Sequence, residues 1–162
     1  MVIGTLCERL KVTKGSFYWH FEDRAALLAA VLEEWQRRGT ERVIETTDAA
    51  RPDPAGRLWE LAQSTFGAST MWDALEFEVR AWARVDDEAA KVVRRVDEQR
   101  LDYVRRLLRA AGASPAVARH RAALLYRTLV GEFTWRRHGG EQLSKPAQRE
   151  LYRWLVGDLR RK

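Results

Sequence analysis

The sequence predicts an all-α protein in which an N-terminal helix-turn-helix precedes a larger helical bundle. Three observations support this fold class. Apolar side chains recur every three or four residues along most of the chain, which is the spacing of a buried helix face. Capping residues and Gly or Pro stops divide this pattern into segments of helix length. No stretch gives a convincing strand pattern, in which apolar and polar residues alternate.

The first predicted helix is short and amphipathic. Four apolar residues follow the i, i+3, i+4, i+7 spacing of one helix face: Ile3, Leu6, Cys7 and Leu10. Lys11 and Val12 then leave room only for a tight turn before the next helix. Two short helices joined in this way form a helix-turn-helix, whose second helix enters the major groove of DNA.

The second predicted helix begins with a small, basic tip. Thr13 can cap the helix through its hydroxyl group, and Lys14 adds a positive charge beside the first backbone N–H groups. Gly15 and Ser16 carry so little bulk that a phosphate or a base edge can approach closely. This combination favours contact with an anionic partner.

The rest of this helix separates a buried face from an exposed one. Phe17 and Phe21 are four residues apart and share one face, which must be buried. The other faces carry Tyr18, Trp19 and His20. The alternative, an ordinary helical hairpin with an aromatic edge, does not explain the polar tip at residues 13–16, so we interpret the helix as a DNA-recognition helix.

The segment 12–21 resembles the DNA-binding domain of TetR/AcrR-type transcriptional repressors. That family's pattern has Val-Ser/Thr in the turn, Lys/Pro-Gly-Ser/Thr at the helix start, and then an aliphatic residue or Phe, followed by Tyr-x-His/Tyr-Phe. The chain has Val-Thr-Lys-Gly-Ser-Phe-Tyr-Trp-His-Phe at these positions, and Arg24 occupies the basic position that opens the next helix. The match is specific for residues 2–32, whereas for residues 48–162 the resemblance rests on helix count and order.

The resemblance implies a ligand-responsive transcriptional regulator. We expect a repressor that binds a double-stranded DNA operator and is released from it by a small hydrophobic effector. The expected phosphate contacts are Lys11, Lys14, Tyr18 and Arg24, and the residues expected to reach base edges or the backbone are Thr13, Ser16, Trp19 and His20. Gly15 completes the expected DNA-binding set because it permits close approach.

The remaining chain reads as further helices. They are expected from Arg24 to about Thr46, from Pro54 to Phe66, from Trp72 to Trp82, from Asp86 or Asp87 to Ala111, from Pro115 to His138, and from Ser144 to Leu159. Asp48–Pro54 is expected to be a linker, and Gly67–Thr70 a break. The resemblance divides the chain into a DNA-binding domain with its connecting helix at 1–46 and a ligand-binding and dimerisation domain at 47–162.

The family likeness also implies a homodimer and an effector pocket. Family members dimerise through their last two long helices, here about 115–138 and 145–160. These helices carry the apolar residues Leu124, Leu125, Leu129, Phe133, Trp154, Leu155 and Leu159. The aromatic residues expected to line the pocket are Trp59, Phe66, Trp72, Trp82, Tyr103, Tyr126 and Trp135. Core packing is the alternative role for any one of them.

The sequence departs from the family pattern at its start. The family places one more helix before the first one seen here, which would make this helix-turn-helix domain incomplete. That helix normally covers Leu6, Leu10, Phe17 and Phe21. A start site downstream of the true one, a truncated chain and a decayed family member all explain the departure. The alternative function is therefore a helical small-molecule-binding protein whose DNA binding is lost or weakened.

Composition and charge exclude several other classes. The net charge is +6, but only +1 of it lies within residues 1–40, so charge alone does not locate the DNA-binding end. One cysteine excludes an internal disulfide framework, and no apolar run has membrane length, so we expect a cytoplasmic protein. The three histidines lie far apart, no glycine-rich phosphate loop occurs, and Glu76 and Glu78 do not share a helix face. We therefore expect no metal, no cofactor and no enzymatic activity.

Overall fold

All regular secondary structure in the described part of the chain is helical. The computed structural model of the protein describes residues 2–67, 70–157 and 159. Its helices are α1 (Ile3–Leu10), α2 (Lys14–His20), α3 (Arg24–Gln36), a π-helical segment (Arg37–Glu41), α4 (Arg42–Ala50), α5 (Pro54–Phe66), α6 (Thr70–Trp82), α7 (Asp87–Ala110), α8 (Pro115–Arg137) and α9 (Lys145–Val156). The predicted fold class, a helix-turn-helix followed by a helical bundle, is confirmed.

Six helix starts lie where the sequence predicts them. Side-chain oxygens cap the helices that begin after Thr13, Asp23, Asp53, Asp86, Ser114 and Ser144, each accepting a hydrogen bond from a backbone N–H three residues on. Gly112 and Gly139 follow the ends of α7 and α8 with φ values of 99° and 82°. A residue with a side chain is strained in this left-handed region, which explains why glycine ends both helices.

The helix that follows the motif is longer than predicted. It was expected to end near Thr46, but helical structure continues through the π-helical segment and α4 to Ala50. The expected linker from Asp48 is therefore wrong over its first three residues. The physical reason is a tertiary contact, because Asp48 Oδ1 accepts a hydrogen bond from the Tyr103 hydroxyl at 2.8 Å and lies 3.3 Å from Arg57 Nη1.

Other expected boundaries fall partly outside the described residues. Of the expected break at Gly67–Thr70, positions 68 and 69 lie outside them, and α6 begins at Thr70. The last expected helix reaches Val156 as an α-helix. Position 158 of its expected range also lies outside the described residues.

The chain divides into two compact units, Met1–Glu34 and Trp35–Lys162. The first unit has a small core, since its described buried apolar residues are Cys7, Phe17 and Leu32. The expected boundary at residue 46 separates a DNA-binding domain from a ligand-binding and dimerisation domain. This boundary stays a prediction.

The second unit has a continuous apolar core built by α5, α7, α8 and α9. Its fully buried side chains include Leu58, Phe66, Leu108 and Leu155. No described helix combines the length and the apolar character needed to span a membrane. The cavity considered below lies within this second unit.

Candidate functional site

A sharp backbone turn brings α2 directly after α1. Lys11 ends α1 in the left-handed region, with φ 55° and ψ 39°. Its N–H donates to the Glu8 carbonyl at 3.2 Å, and the Val12 N–H donates to the Cys7 carbonyl at 3.0 Å. These bonds satisfy carbonyl groups at the helix end, so only three residues separate α1 from α2.

One aromatic face anchors α2 within its unit. Phe17 is buried, and its ring centroid lies 5.6 Å from that of Phe21 and 5.2 Å from that of Tyr18. The Thr13 hydroxyl oxygen accepts a hydrogen bond from the Ser16 N–H at 3.0 Å, which leaves the hydroxyl hydrogen available to a partner. The Thr13 cap thus stabilises the start of α2, and the contacts of the Phe17 ring stabilise its inner face.

The other face of α2 is open to solvent. Every residue of the expected DNA-binding set is exposed: Lys11, Thr13, Lys14, Gly15, Ser16, Tyr18, Trp19, His20 and Arg24. Trp19 is 80% exposed, and its ring contacts only the edge of the His20 ring among the aromatic contacts of α2, at 4.5 Å. A large aromatic side chain that finds no cover in the fold is typical of a contact surface.

A cavity of about 430 Å³ lies within the second unit, lined by the π-helical segment and helices α3 to α8. Four of the seven predicted aromatic residues line it: Phe66, Trp72, Tyr103 and Tyr126. The other three do not. Trp59 packs against Tyr152 at 5.0 Å between ring centroids, Trp135 is 63% exposed, and Trp82 is half-buried on α6.

A buried carboxylate forms one wall of the cavity, and sequence reasoning missed it. Glu76 is buried and accepts hydrogen bonds from Trp35 Nε1 at 2.8 Å and from Arg100 Nη1 and Nη2 at 2.8 and 3.2 Å. Arg80 Nε donates to it at 2.9 Å. The i, i+4 spacing of Glu76 and Arg80 was the available signal, but such pairs are usually solvated.

Asp97 and Tyr126 extend this network beyond Arg80, and Asp97 balances its charge. Arg80 donates to both carboxylate oxygens of Asp97, at 2.7 and 3.2 Å. The Tyr126 hydroxyl donates to Asp97 Oδ1 at 2.6 Å and accepts from Arg80 Nη2 at 2.9 Å. With Glu76 and Arg100, two carboxylates face two guanidinium groups, so the buried network is neutral overall.

The network shifts the pKa values of its members, among them Glu76 and Tyr126. Burial alone would raise the pKa of Glu76, but the charge and hydrogen bonds of Arg100, together with Arg80 and Trp35, hold that pKa below its usual range. Burial raises the pKa of Tyr126 to about 12, against the opposing charges of Arg100 and Arg80. Glu76 is therefore a carboxylate, and Tyr126 a neutral phenol, near neutral pH.

Arg100 also forms hydrogen bonds with the π-helical segment and so joins this segment to the cavity wall. Its Nε donates to the Thr40 hydroxyl at 2.8 Å, and its Nη2 donates to the Gly39 carbonyl at 3.2 Å. A β-carbon at residue 39 would lie 3.0 Å from Arg100 Nη2, which is why glycine suits this position. Short π-helical insertions of this kind occur frequently at functional sites.

A second buried ion cluster fixes the end of α5 beside the cavity. Arg136 Nη2 lies 3.0 Å from Asp73 Oδ1, and its Nη1 donates to the Phe66 carbonyl at 3.4 Å. The Gln142 amide donates to the same carbonyl. The Leu143 N–H donates to Glu132 at 2.7 Å. The two hydrogen bonds to its carbonyl hold Phe66, a lining residue, in place.

The buried phenol predicts a loss of stability at alkaline pH. The Tyr126 phenol ionises near pH 10 in the unfolded chain and near pH 12 in the folded one. Its contribution to the free energy of unfolding is therefore complete below pH 10 and is lost as the pH rises toward 12, on the order of 2 kcal/mol. Denaturant unfolding between pH 9 and 12 measures this loss, and Tyr126→Phe should reduce it. An equal loss in the variant would assign the effect to other groups.

The N-terminal helices are similar to those of a known protein family. Residues 3–31 match the family model described as "Bacterial regulatory proteins, tetR family". No curated protein matches the chain. The matched residues contain α1, the turn, α2 and the first part of α3, which is the segment with the exposed DNA-binding set.

Proposed function

The chain belongs to the tetR family of bacterial regulatory proteins and is a DNA-binding transcriptional regulator, and from this premise we propose that it is a repressor released from its operator by a small effector. The observation that carries the proposal is the exposed face of α2. Phe17 anchors the helix, while Lys14, Ser16, Trp19 and His20 face solvent. A helix with one buried face and one exposed polar face can enter the major groove of DNA.

The exposed residues suit two kinds of DNA contact. Lys11, Lys14 and Arg24 carry positive charges for phosphate groups, and Tyr18 can donate from its hydroxyl. The Thr13 hydroxyl retains its hydrogen for a phosphate or base acceptor. Trp19 offers an apolar edge of the kind that contacts a thymine methyl group. Phosphate contacts set the affinity and base contacts set the sequence preference.

The cavity supports the effector part of the proposal. Its volume of about 430 Å³ lies within the range of small-molecule sites, and apolar and aromatic side chains dominate its lining. A ligand inside it would contact Arg100 and the π-helical segment, which directly follows α3 in the chain. We assign the coupling between ligand and DNA binding to this segment, because a ligand can shift an equilibrium only through contacts that differ between two states.

We also propose a homodimer that uses the exposed face of α8 and α9. Leu124 and Trp154 are 50% and 49% exposed, whereas Leu125, Leu129 and Leu155 are buried within the unit. The expected apolar surface of these helices is therefore smaller than the sequence suggested. Leu124 and Trp154 are the better candidates for contact with a second copy.

Replacing Leu124 and Trp154 with glutamate should give a folded monomer, because charge would be buried if the two copies associated. Light scattering measures the mass, and far-UV circular dichroism checks the fold. Val85→Glu is the matched control, since Val85 is 87% exposed and lies outside both helices. Leu129→Glu should instead unfold the chain. A double variant that stays dimeric would place the interface elsewhere.

The proposed function is tested by selecting DNA from a pool of random duplexes with the purified protein. We expect enrichment of a palindromic site with half-sites about one helical turn apart, or a multiple of it. Apolar compounds that stabilise the protein by mass action should release this DNA. Failure to enrich any sequence at low salt would contradict the proposal.

A second candidate function is a helical small-molecule-binding protein with weakened DNA binding. Leu10 is 62% exposed and Val12 44% exposed, so the first unit leaves apolar side chains uncovered beside its small core. The same selection separates the two functions. A protein of the second kind would bind apolar ligands but enrich no DNA sequence.

A further inference from the structure

Resting on the proposed effector role of the cavity, we propose that its ligand is an organic anion with a flat apolar body, and that Arg42 binds the anionic group. The proposal depends on three properties of the lining. The inner charged groups of Glu76 and Arg100 are already paired, the rest of the inner surface is mostly apolar and aromatic, and the exposed rim carries positive charge. The first two properties determine the inner body of the ligand, and the third determines the group at the opening.

Among the described residues, Glu76 and Arg100 offer a ligand no free hydrogen-bonding group at this wall. All five N–H groups of Arg100 have acceptors, namely Glu76, Tyr126, Thr40 and the Gly39 carbonyl. Each Glu76 carboxylate oxygen receives two donors from the side chains around it. A polar group pushed against this wall would lose its water and find no partner, at a cost in affinity. The inner part of the ligand is therefore apolar.

The remaining inner surface favours a flat body. The rings of Phe66, Trp72 and Phe133 line the cavity together with Leu61, Val104 and Leu129. Aromatic walls hold planar molecules through stacked and edge contacts. The volume of about 430 Å³ accommodates two or three fused or linked rings.

The rim of the cavity is positively charged. Its exposed lining residues are Arg38, Arg42 and Ser64, so the cavity opens to solvent beside them. The Arg38 guanidinium lies 5.8 Å from the centre of the Trp72 ring. Arg42 makes no ion pair with any residue that the structure describes.

No acidic residue among the described lining residues pairs with Arg42. Glu76 is the one acidic residue among the described lining residues, and two arginines already neutralise it. A guanidinium group at an apolar cavity attracts carboxylate, sulfonate or phosphate groups through charge-assisted hydrogen bonds. The same charge opposes a cationic ligand.

Two fluorescent probes test the proposal because they share one ring system and differ in charge. 1-Anilinonaphthalene-8-sulfonate carries a sulfonate, and N-phenyl-1-naphthylamine lacks it. At low salt the protein should bind the sulfonate at least about five-fold more tightly, as expected for one nearby opposite charge in a water-exposed setting. The preference should fall as salt rises.

Variants assign the preference to a residue and to the cavity. Arg42→Gln should bring the affinity ratio of the two probes close to one while the neutral probe binds as before. Arg95→Gln, at an exposed position on α7, is the matched control and should leave the ratio unchanged. Ser64→Trp should weaken both probes by narrowing the opening.

The outcomes separate this proposal from the effector role. Equal binding of the two probes by the unaltered protein, with loss of both in Ser64→Trp, would overturn the anionic ligand but keep the cavity as a ligand site. An unchanged ratio in Arg42→Gln would also overturn it. Failure of both probes to bind, or binding that Ser64→Trp leaves unaltered, would overturn both the ligand class and the effector role.

Discussion

Replacing Glu76 with alanine should lower the free energy of unfolding of the second unit by roughly 3–5 kcal/mol. The change removes the carboxylate that pairs with Arg100 and Arg80 and accepts the Trp35 N–H. Both guanidinium groups would keep their charge in a buried setting, because their pKa values lie far above neutral pH. An uncompensated buried charge costs more than the pair contributes.

Urea denaturation followed by Trp fluorescence measures this effect, and Glu78→Ala is the matched control. Glu78 lies on the same helix, but its side chain is 59% exposed and pairs with the exposed Arg137. The control should change stability by no more than about 1 kcal/mol. Equal losses in the two variants would show that the Glu76 network does not hold the cavity wall together.

Replacing Phe17 with alanine should unfold the first unit and leave the second one folded. Truncating a buried Phe costs roughly 3–5 kcal/mol, and this unit has only Cys7 and Leu32 as further buried apolar residues among those described. Helices α1 and α2 have eight and seven residues, and such short helices depend on packing rather than on their own propensity. The expected loss is therefore comparable to the whole free energy of unfolding of a small unit.

Hydrogen exchange resolves the two units separately. In the unaltered protein we expect faster exchange over residues 2–21 than beyond residue 54, and in Phe17→Ala the first segment should exchange at the unprotected rate. Trp19→Ala, at an exposed position on the same helix, is the control and should leave the exchange pattern unchanged. Protection of residues 2–21 in Phe17→Ala would contradict the proposed role of this ring as the anchor.

Local features of the fold could be predicted from the sequence because they depend on near neighbours. A capping oxygen at Thr13, Asp53 or Ser144 acts on an N–H three residues on, so the sequence alone locates these helix starts. The exposed face of α2 could be predicted for the same reason. The spacing of Phe17 and Phe21 determines which side of a short helix turns inward.

Features that depend on distant residues could not be predicted. The π-helical segment is held by Arg100, about sixty residues further along the chain. The extension of α4 past Thr46 depends on Tyr103 in the same way. The sequence pattern around Asp48 does not by itself indicate a helix. The contact with Tyr103, which stabilises the helix there, is visible only in the folded structure.

The cavity lining was predicted in part, for a related reason. Helical spacing shows which face of a helix is apolar, but not what that face packs against. Phe66 and Trp72 face the cavity, whereas Trp59 faces Tyr152 and Trp135 faces solvent. The charged wall escaped prediction because a buried Glu paired with Arg has the same sequence pattern as a solvated pair on a surface helix.

The central claim is that the exposed face of α2 binds DNA, and Lys14→Ala tests it most directly. Fluorescence anisotropy with the selected duplex, repeated at several salt concentrations, gives the affinity and its salt dependence. Losing one phosphate contact should weaken binding to all sequences and reduce the slope of log K against log salt by about 0.9. Lys91→Ala, an exposed lysine on α7, is the control and should change neither quantity. Unchanged affinity and slope in Lys14→Ala would contradict the claim.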